Sequence, residues 1–102
     1  MDKYTSANHR LAELLDCDSK AWCHDWNACG PLMVEHGCWP SNSIGWGAPY
    51  IIVRDANGNE IDSDDSRNHP DSDTAVRFCI VTALIVKLES QKQQQLSRAS
   101  GT

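Results

Sequence analysis

The sequence lacks several features that would have named a function class at once. It has no cluster of Lys and Arg of the kind a nucleic-acid-binding surface requires: nine basic residues face 14 acidic ones, for a formal charge of -5. No apolar stretch reaches the roughly 20 residues of a membrane span. The longest candidate, residues 75–88, is interrupted by Arg77, Thr82 and Lys87. The polar first ten residues lead into no apolar signal-peptide core, so a soluble protein that stays where it is made is expected. No CxxC pair occurs, and no internal repeat is visible. The chain is also too short, at 102 residues, to divide into separate cores.

What is present is unevenly distributed. Residues 55–73 hold seven acids (Asp55, Glu60, Asp62, Asp64, Asp65, Asp71 and Asp73) against one base, Arg67. The remaining 83 residues are close to neutral, so one segment supplies the whole imbalance. Five cysteines in a reducing compartment read as thiols, and their odd number excludes complete pairing.

Periodicity and punctuation predict an α+β fold. Residues 1–6 read as a frayed N-terminus. Ala7, Leu11, Leu14 and Leu15 then form one stripe of a short amphipathic helix, with Ser6 as its N-cap. A polar loop follows over residues 16–20. A second helix ends at His36, with Gly37 as its stop and Asp25 or Asn27 as its cap. Pro31 is tolerated near a first turn, which places the start of that helix between Asn27 and Gly30.

Residues 38–49 read as irregular or as a short edge strand. Asn57-Gly58 between extended runs predicts a hairpin, with strands near residues 45–55 and 59–63, the second at a sheet edge. Residues 62–73 read as an acidic loop whose end, at Asp71, Ser72 or Asp73, caps a helix over residues 74–89 that is buried on most sides. Residues 90–102 read as a polar mobile tail. The whole is one domain over residues 7–89: a small antiparallel sheet of two or three strands sandwiched by about three helices.

The candidate constellations are few. Cys17, Cys23, His24, Cys29, His36 and Cys38 invite a zinc reading, but their spacing offers no tight ligand pair, and no metal or other cofactor is expected. His24 is adjacent to Cys23, a spacing that points the two side chains apart on a helix, and no catalytic residue is assigned. Calcium-loop registers starting at Asp55 or Asp62 fail at the glycine position.

Trp22 and Trp26 lie four apart and would share a helix face. With His24, Asp25 and Asn27 nearby, and with Trp46, they form either core packing or a contact surface for a partner or small ligand. Asp62, Asp64 and Asp65 are the acidic candidates for a basic partner patch, against a bland reading as capping residues.

The run Trp22-Cys23-His24-Asp25-Trp26-Asn27-Ala28-Cys29-Gly30-Pro31-Leu32, followed by Glu35-His36-Gly37, resembles the small phage proteins grouped as the phage ABA sandwich domain. Ile44-Gly45-Trp46 and Ala75-Val76-Arg77-Phe78 correspond to that family's Trp-containing hairpin and closing helix, so the likeness spans residues 8–89. A more distant similarity is to NinX-like phage proteins, from which Asn68-His69-Pro70-Asp71 departs by an added Ser-Asp-Thr. The resemblance implies a phage or prophage product with helices on both faces of the sheet, and carries over no catalytic residue.

The reading is a non-enzymatic phage accessory protein that binds a host protein and inhibits an antiviral defence. The alternative is a protein that sequesters a small nucleotide signal at an oligomer interface, with Trp22, Trp26 or Trp46 stacking on the base and Arg54, Arg67 and Arg77 left to bind phosphate. A homo-oligomer is expected in either case, because so small a core covers its apolar surface more fully with a second copy. Direct nucleic-acid and membrane contacts are not expected.

Overall fold

The computed structural model describes residues 2–42 and 50–100. Three helices, α1 (Lys3–Leu15), α2 (Trp26–His36) and α3 (Ser72–Ser100), accompany an antiparallel sheet of β1 (Trp39–Asn42), β2 (Tyr50–Arg54) and β3 (Glu60–Asp65) in the order β1-β2-β3. A 3-10 turn, Ser66–Asn68, links β3 to α3. The α+β class with a three-stranded sheet and three helices is therefore as expected. Among the described residues, no helix is long and apolar enough to cross a membrane.

Among the described residues, the layering differs from a sheet covered by helices on both faces. Helix α3 packs on all three strands, while α1 and α2 lie against α3. Ile51 and Val53 face α3 and are buried, as are Cys79, Ile80, Val81, Ala83 and Leu84 along it. Each such aliphatic side chain contributes about 1.5–3 kcal/mol by leaving water. The alternate residues of the sheet lie on its other face, where Trp39 and Tyr50 remain 47% and 46% exposed.

Local chemistry fixes the element ends. Asp2, not Ser6, caps α1: its carboxylate accepts from the Thr5 amide at 2.8 Å, so the helix starts four residues earlier than expected and includes residues read as frayed. Its buried stripe is Ala7, Asn8, Leu11 and Ala12. Asp25 caps α2 and Gly37 ends it in the left-handed region at φ 66°, both as read from the sequence. Pro31 is the sixth residue of α2, not part of its first turn, so the Asn27 carbonyl lacks a helical amide partner. Gly30 eases this placement, because a Cβ before proline disfavours helical backbone.

The hairpin forms at the expected Asn57-Gly58, but only Gly58 adopts positive φ, at 85°. The Gly58 amide donates to Asp55 O, and the Asp55 amide donates to Asn59 O, closing a three-residue loop. A register shift at Val53/Arg54 leaves Ile61 as the extra residue of a bulge, half-buried against the core.

Asp62, Asp64 and Asp65 belong to β3 and not to a loop. Residues 90–100, read as a mobile tail, continue α3. Their Gln, Lys, Leu, Arg and Ala are good helix formers, and extension from an already buried helix avoids the cost of nucleation.

Both edges of the sheet are blunted. Asp62 Oδ1 accepts from the Ser63 amide at 2.9 Å, and Asp64 Oδ1 from the Asp65 amide at 2.8 Å, so carboxylates occupy donors along β3. On β1, Pro40 has no amide to offer.

Candidate functional site

Five of the residues singled out from the sequence fall in two places, Trp22, Asp25 and Asn27 in one and His24 and Asp64 in the other. The first is an open cleft of about 570 Å³ between the end of α1, residues 16–25 and α2. Trp22, Asp25 and Asn27 line it, together with Lys20, Glu35 and His36. Its apolar floor is continuous with the core: Trp22 is only 3% exposed and Leu32 is buried beside it. Asp25 spends one carboxylate oxygen on the Asn27 amide at 2.9 Å, which fixes the helix end forming one wall.

Trp22 and Trp26 do not share a helix face. Trp22 belongs to the turn before α2, closed by the His24 and Asp25 amides donating to Ala21 O at 3.0 and 2.9 Å. Trp26 opens the helix, half-buried, with the Arg77 guanidinium 5.4 Å from its ring centroid. Arg77 also donates through Nε to Cys23 O at 3.0 Å, tying the turn to α3. None of Arg54, Arg67 and Arg77 lines the cleft.

The second place is a run of contacts from Asp64 through His69 and Tyr4 to His24. His69, with a fully buried side chain, contacts Asp64 Oδ2 through Nε2 at 2.6 Å and the Tyr4 hydroxyl through Nδ1 at 2.8 Å. A carboxylate only accepts, so Nε2 is assigned the proton and Nδ1 accepts from the phenol. The Tyr4 ring lies 6.1 Å from that of His24 and 5.2 Å edge-on to that of Phe78. Burial holds the Tyr4 phenol above its ordinary value of 10. That keeps Tyr4 a hydroxyl donor in this thread and not a nucleophile.

Asn8 completes the arrangement: its Oδ1 accepts from the Cys23 amide at 3.0 Å, and its Nδ2 meets His24 Nδ1 at 3.4 Å. The imidazole of His24 is thereby engaged away from the Cys23 thiol. The signals available in the sequence were Asn8 on an apolar stripe and His69 just before a helix cap.

The acids of residues 55–73 are mostly occupied. Asp55 accepts from the Asn57 and Asn59 amides, and Asp71 accepts from the Thr74 amide at 2.7 Å as the expected cap of α3. Asp65 holds the Arg67 guanidinium in a paired contact at 2.6 and 3.0 Å. Asp64 holds His69, so of the three candidates Asp62 has no side-chain partner among the described residues. Hydrogen bonds, mainly from the Thr5, Asn59 and Thr74 amides and the Arg67 side chain, hold Asp2, Asp55, Asp71 and Asp65 below the ordinary value of 3.8.

Burial pushes the thiols of Cys23 and Cys79 up to about 12 and that of Cys29 to about 11, so none is a thiolate near neutral pH. Among the described residues, no group of three or more His, Cys, Asp or Glu side chains is placed to hold a metal. Trp46 lies outside the described residues.

No family model, curated protein or solved structure matches the chain.

Proposed function

We propose that the chain is a small phage-encoded accessory protein that binds a host protein without chemistry of its own, and that its role in the host cytoplasm is to blunt an antiviral defence. The phage assignment rests on the resemblance carried by residues 22–37. The binding assignment rests on one observation, the open cleft whose apolar floor at Trp22 and Leu32 is rimmed by Lys20, Asp25, Asn27, Glu35 and His36. An apolar centre with a rim of both signs suits a protein surface better than a phosphorylated ligand. A nucleotide would meet two acids there, Asp25 and Glu35, with no arginine to neutralise its phosphates.

The test is capture of partners from host lysate at several salt concentrations, by the natural chain and by Asn27→Arg and Glu35→Arg. Among the described residues, neither side chain ties α2 to another element by a hydrogen bond or ion pair. A specific partner recovered by the natural chain, with binding weakened in both cleft variants, is the expected result. No specific partner at any salt concentration overturns the binding reading.

Thermal-shift measurement against nucleotides separates the alternative, since a ligand at 100 times its Kd stabilises by about 2.7 kcal/mol. Reversal of Asp62 alone tests the acidic strand cleanly, because Asp64 and Asp65 hold His69 and Arg67 in place.

A further inference from the structure

We propose that Asn57 is a site of spontaneous covalent modification, converted to aspartate and isoaspartate by attack of the Gly58 amide nitrogen, and that the Asp55 carboxylate is the latch that sets the rate. The chemistry needs a carboxamide free to turn, a following residue without a side chain, and backbone able to bring the two together. Asn57 is exposed at the tip of the hairpin loop, and among the described residues its side chain makes no hydrogen bond. Gly58 leaves its nitrogen unshielded: beyond its chain neighbours, no atom lies within 4 Å of where a Cβ would stand. Its freedom at φ 85° lets the turn reshape around it. Asn8, Asn27, Asn42, Asn59 and Asn68 are each followed by a residue that carries a side chain.

The Gly58 nitrogen loses its proton to solvent and bonds to Asn57 Cγ, and the side-chain nitrogen leaves as ammonia. The product is a cyclic imide, in which water then cleaves one of two carbon–nitrogen bonds. Cleavage at Cγ leaves an aspartate. Cleavage at the main-chain carbonyl leaves isoaspartate, whose backbone runs through the former side chain and is longer by one carbon. No electrons are transferred: an amide and water become a carboxylate and ammonium.

The closed loop opposes the first step. The Gly58 N–H donates to Asp55 O at 3.0 Å, so the attacking nitrogen is engaged. Asp55 Oδ1 accepts from the amides of Asn57 and Asn59 at 2.9 and 3.0 Å, pinning the main chain on either side of Gly58. Attack therefore proceeds from a loop opened at its tip, a local event that leaves the rest of the fold in place. Its rate follows how often Asp55 lets go. The aspartyl product keeps the chain length and closes again, whereas the lengthened isoaspartyl chain cannot present both amides to Asp55.

The experiment is incubation of the full chain at neutral and mildly alkaline pH, followed by proteolysis and mass spectrometry with electron-transfer fragmentation, which separates the two products. The mass gain of amide-to-acid conversion is expected at Asn57 before any other asparagine, with both products present and a faster rate at the higher pH. Asp55→Ala is expected to convert on the order of tenfold faster, as loss of hydrogen bonds to a charged acceptor implies, with an unchanged circular dichroism spectrum. If that variant fails to fold, the natural chain in guanidinium chloride replaces it and is expected to convert faster than the folded chain by at least that factor. Gly58→Ala, compared with the natural chain in the same denaturant, is expected to convert more slowly. A folded chain that keeps Asn57 intact while the denatured chain converts fully overturns the site, as does earlier conversion at another asparagine. Equal rates for the folded natural chain and for Asp55→Ala or the denatured chain overturn the latch.

Discussion

Asn8 stands where periodicity calls for an apolar residue, and its burial is rewarded because both ends of its amide are used, on the Cys23 amide and on His24. Removal of the side chain leaves the Cys23 N–H buried without a partner, a loss of about 1–3 kcal/mol. Asn8→Ala is therefore expected to lower the urea midpoint by that equivalent while leaving the slope unchanged. An unaltered midpoint would mean that the turn before α2 relaxes to reach water. At this scale the sequence was readable where chemistry is local. Asp25, Gly37 and Asp71 serve the ends the sequence gives them, because a cap needs only an amide two or three residues away. Tyr4, Asn8 and His69 were not readable, since their partners lie 15 or more positions distant or on another element.

Among the elements, α2 carries a defect. Pro31 in its second turn removes one helical hydrogen bond, and Gly30 before it adds backbone freedom that folding must remove. Proline trails alanine in a helix interior by about 3 kcal/mol. Pro31→Ala should recover on the order of 1 kcal/mol of that, the remainder being absorbed by the accommodation at Gly30. Thermal denaturation checks this, and a lower melting temperature would show that the ring's contact with the cleft outweighs the missing bond. The hairpin was legible from Asn57-Gly58, but the loop closes around Asp55, whose side chain reaches two amides that a shorter turn would not present. The extension of α3 beyond residue 89 carries no apolar periodicity to announce it, because helix-forming residues there continue a helix already nucleated and buried.

For the whole molecule, acid sensitivity follows from the capping aspartates. Asp2, Asp55, Asp65 and Asp71 bind protons less readily in the folded state than at their ordinary value of 3.8. Their stabilisation is thus present above that value and is lost as pH falls through it to the lower folded values. Urea midpoints should decline as pH drops below about 4. Asp71→Asn, which keeps a capping oxygen without the titrating charge, should decline less steeply; an identical slope would remove Asp71 from the account. The layer order was the part of the architecture least legible in the sequence. Three helices and a small sheet can be stacked in several ways, and only the contacts of α3 with every strand distinguish them.

The thread from Tyr4 through His69 to Asp64 has a consequence for how the protein is made. In synthesis the imidazole that receives the Tyr4 hydroxyl follows it by 65 residues. Helix α1 is therefore made without this anchor, which becomes available only when β3 and the turn after it have emerged. The helix behaves as a clasp that is formed before the piece it fastens to.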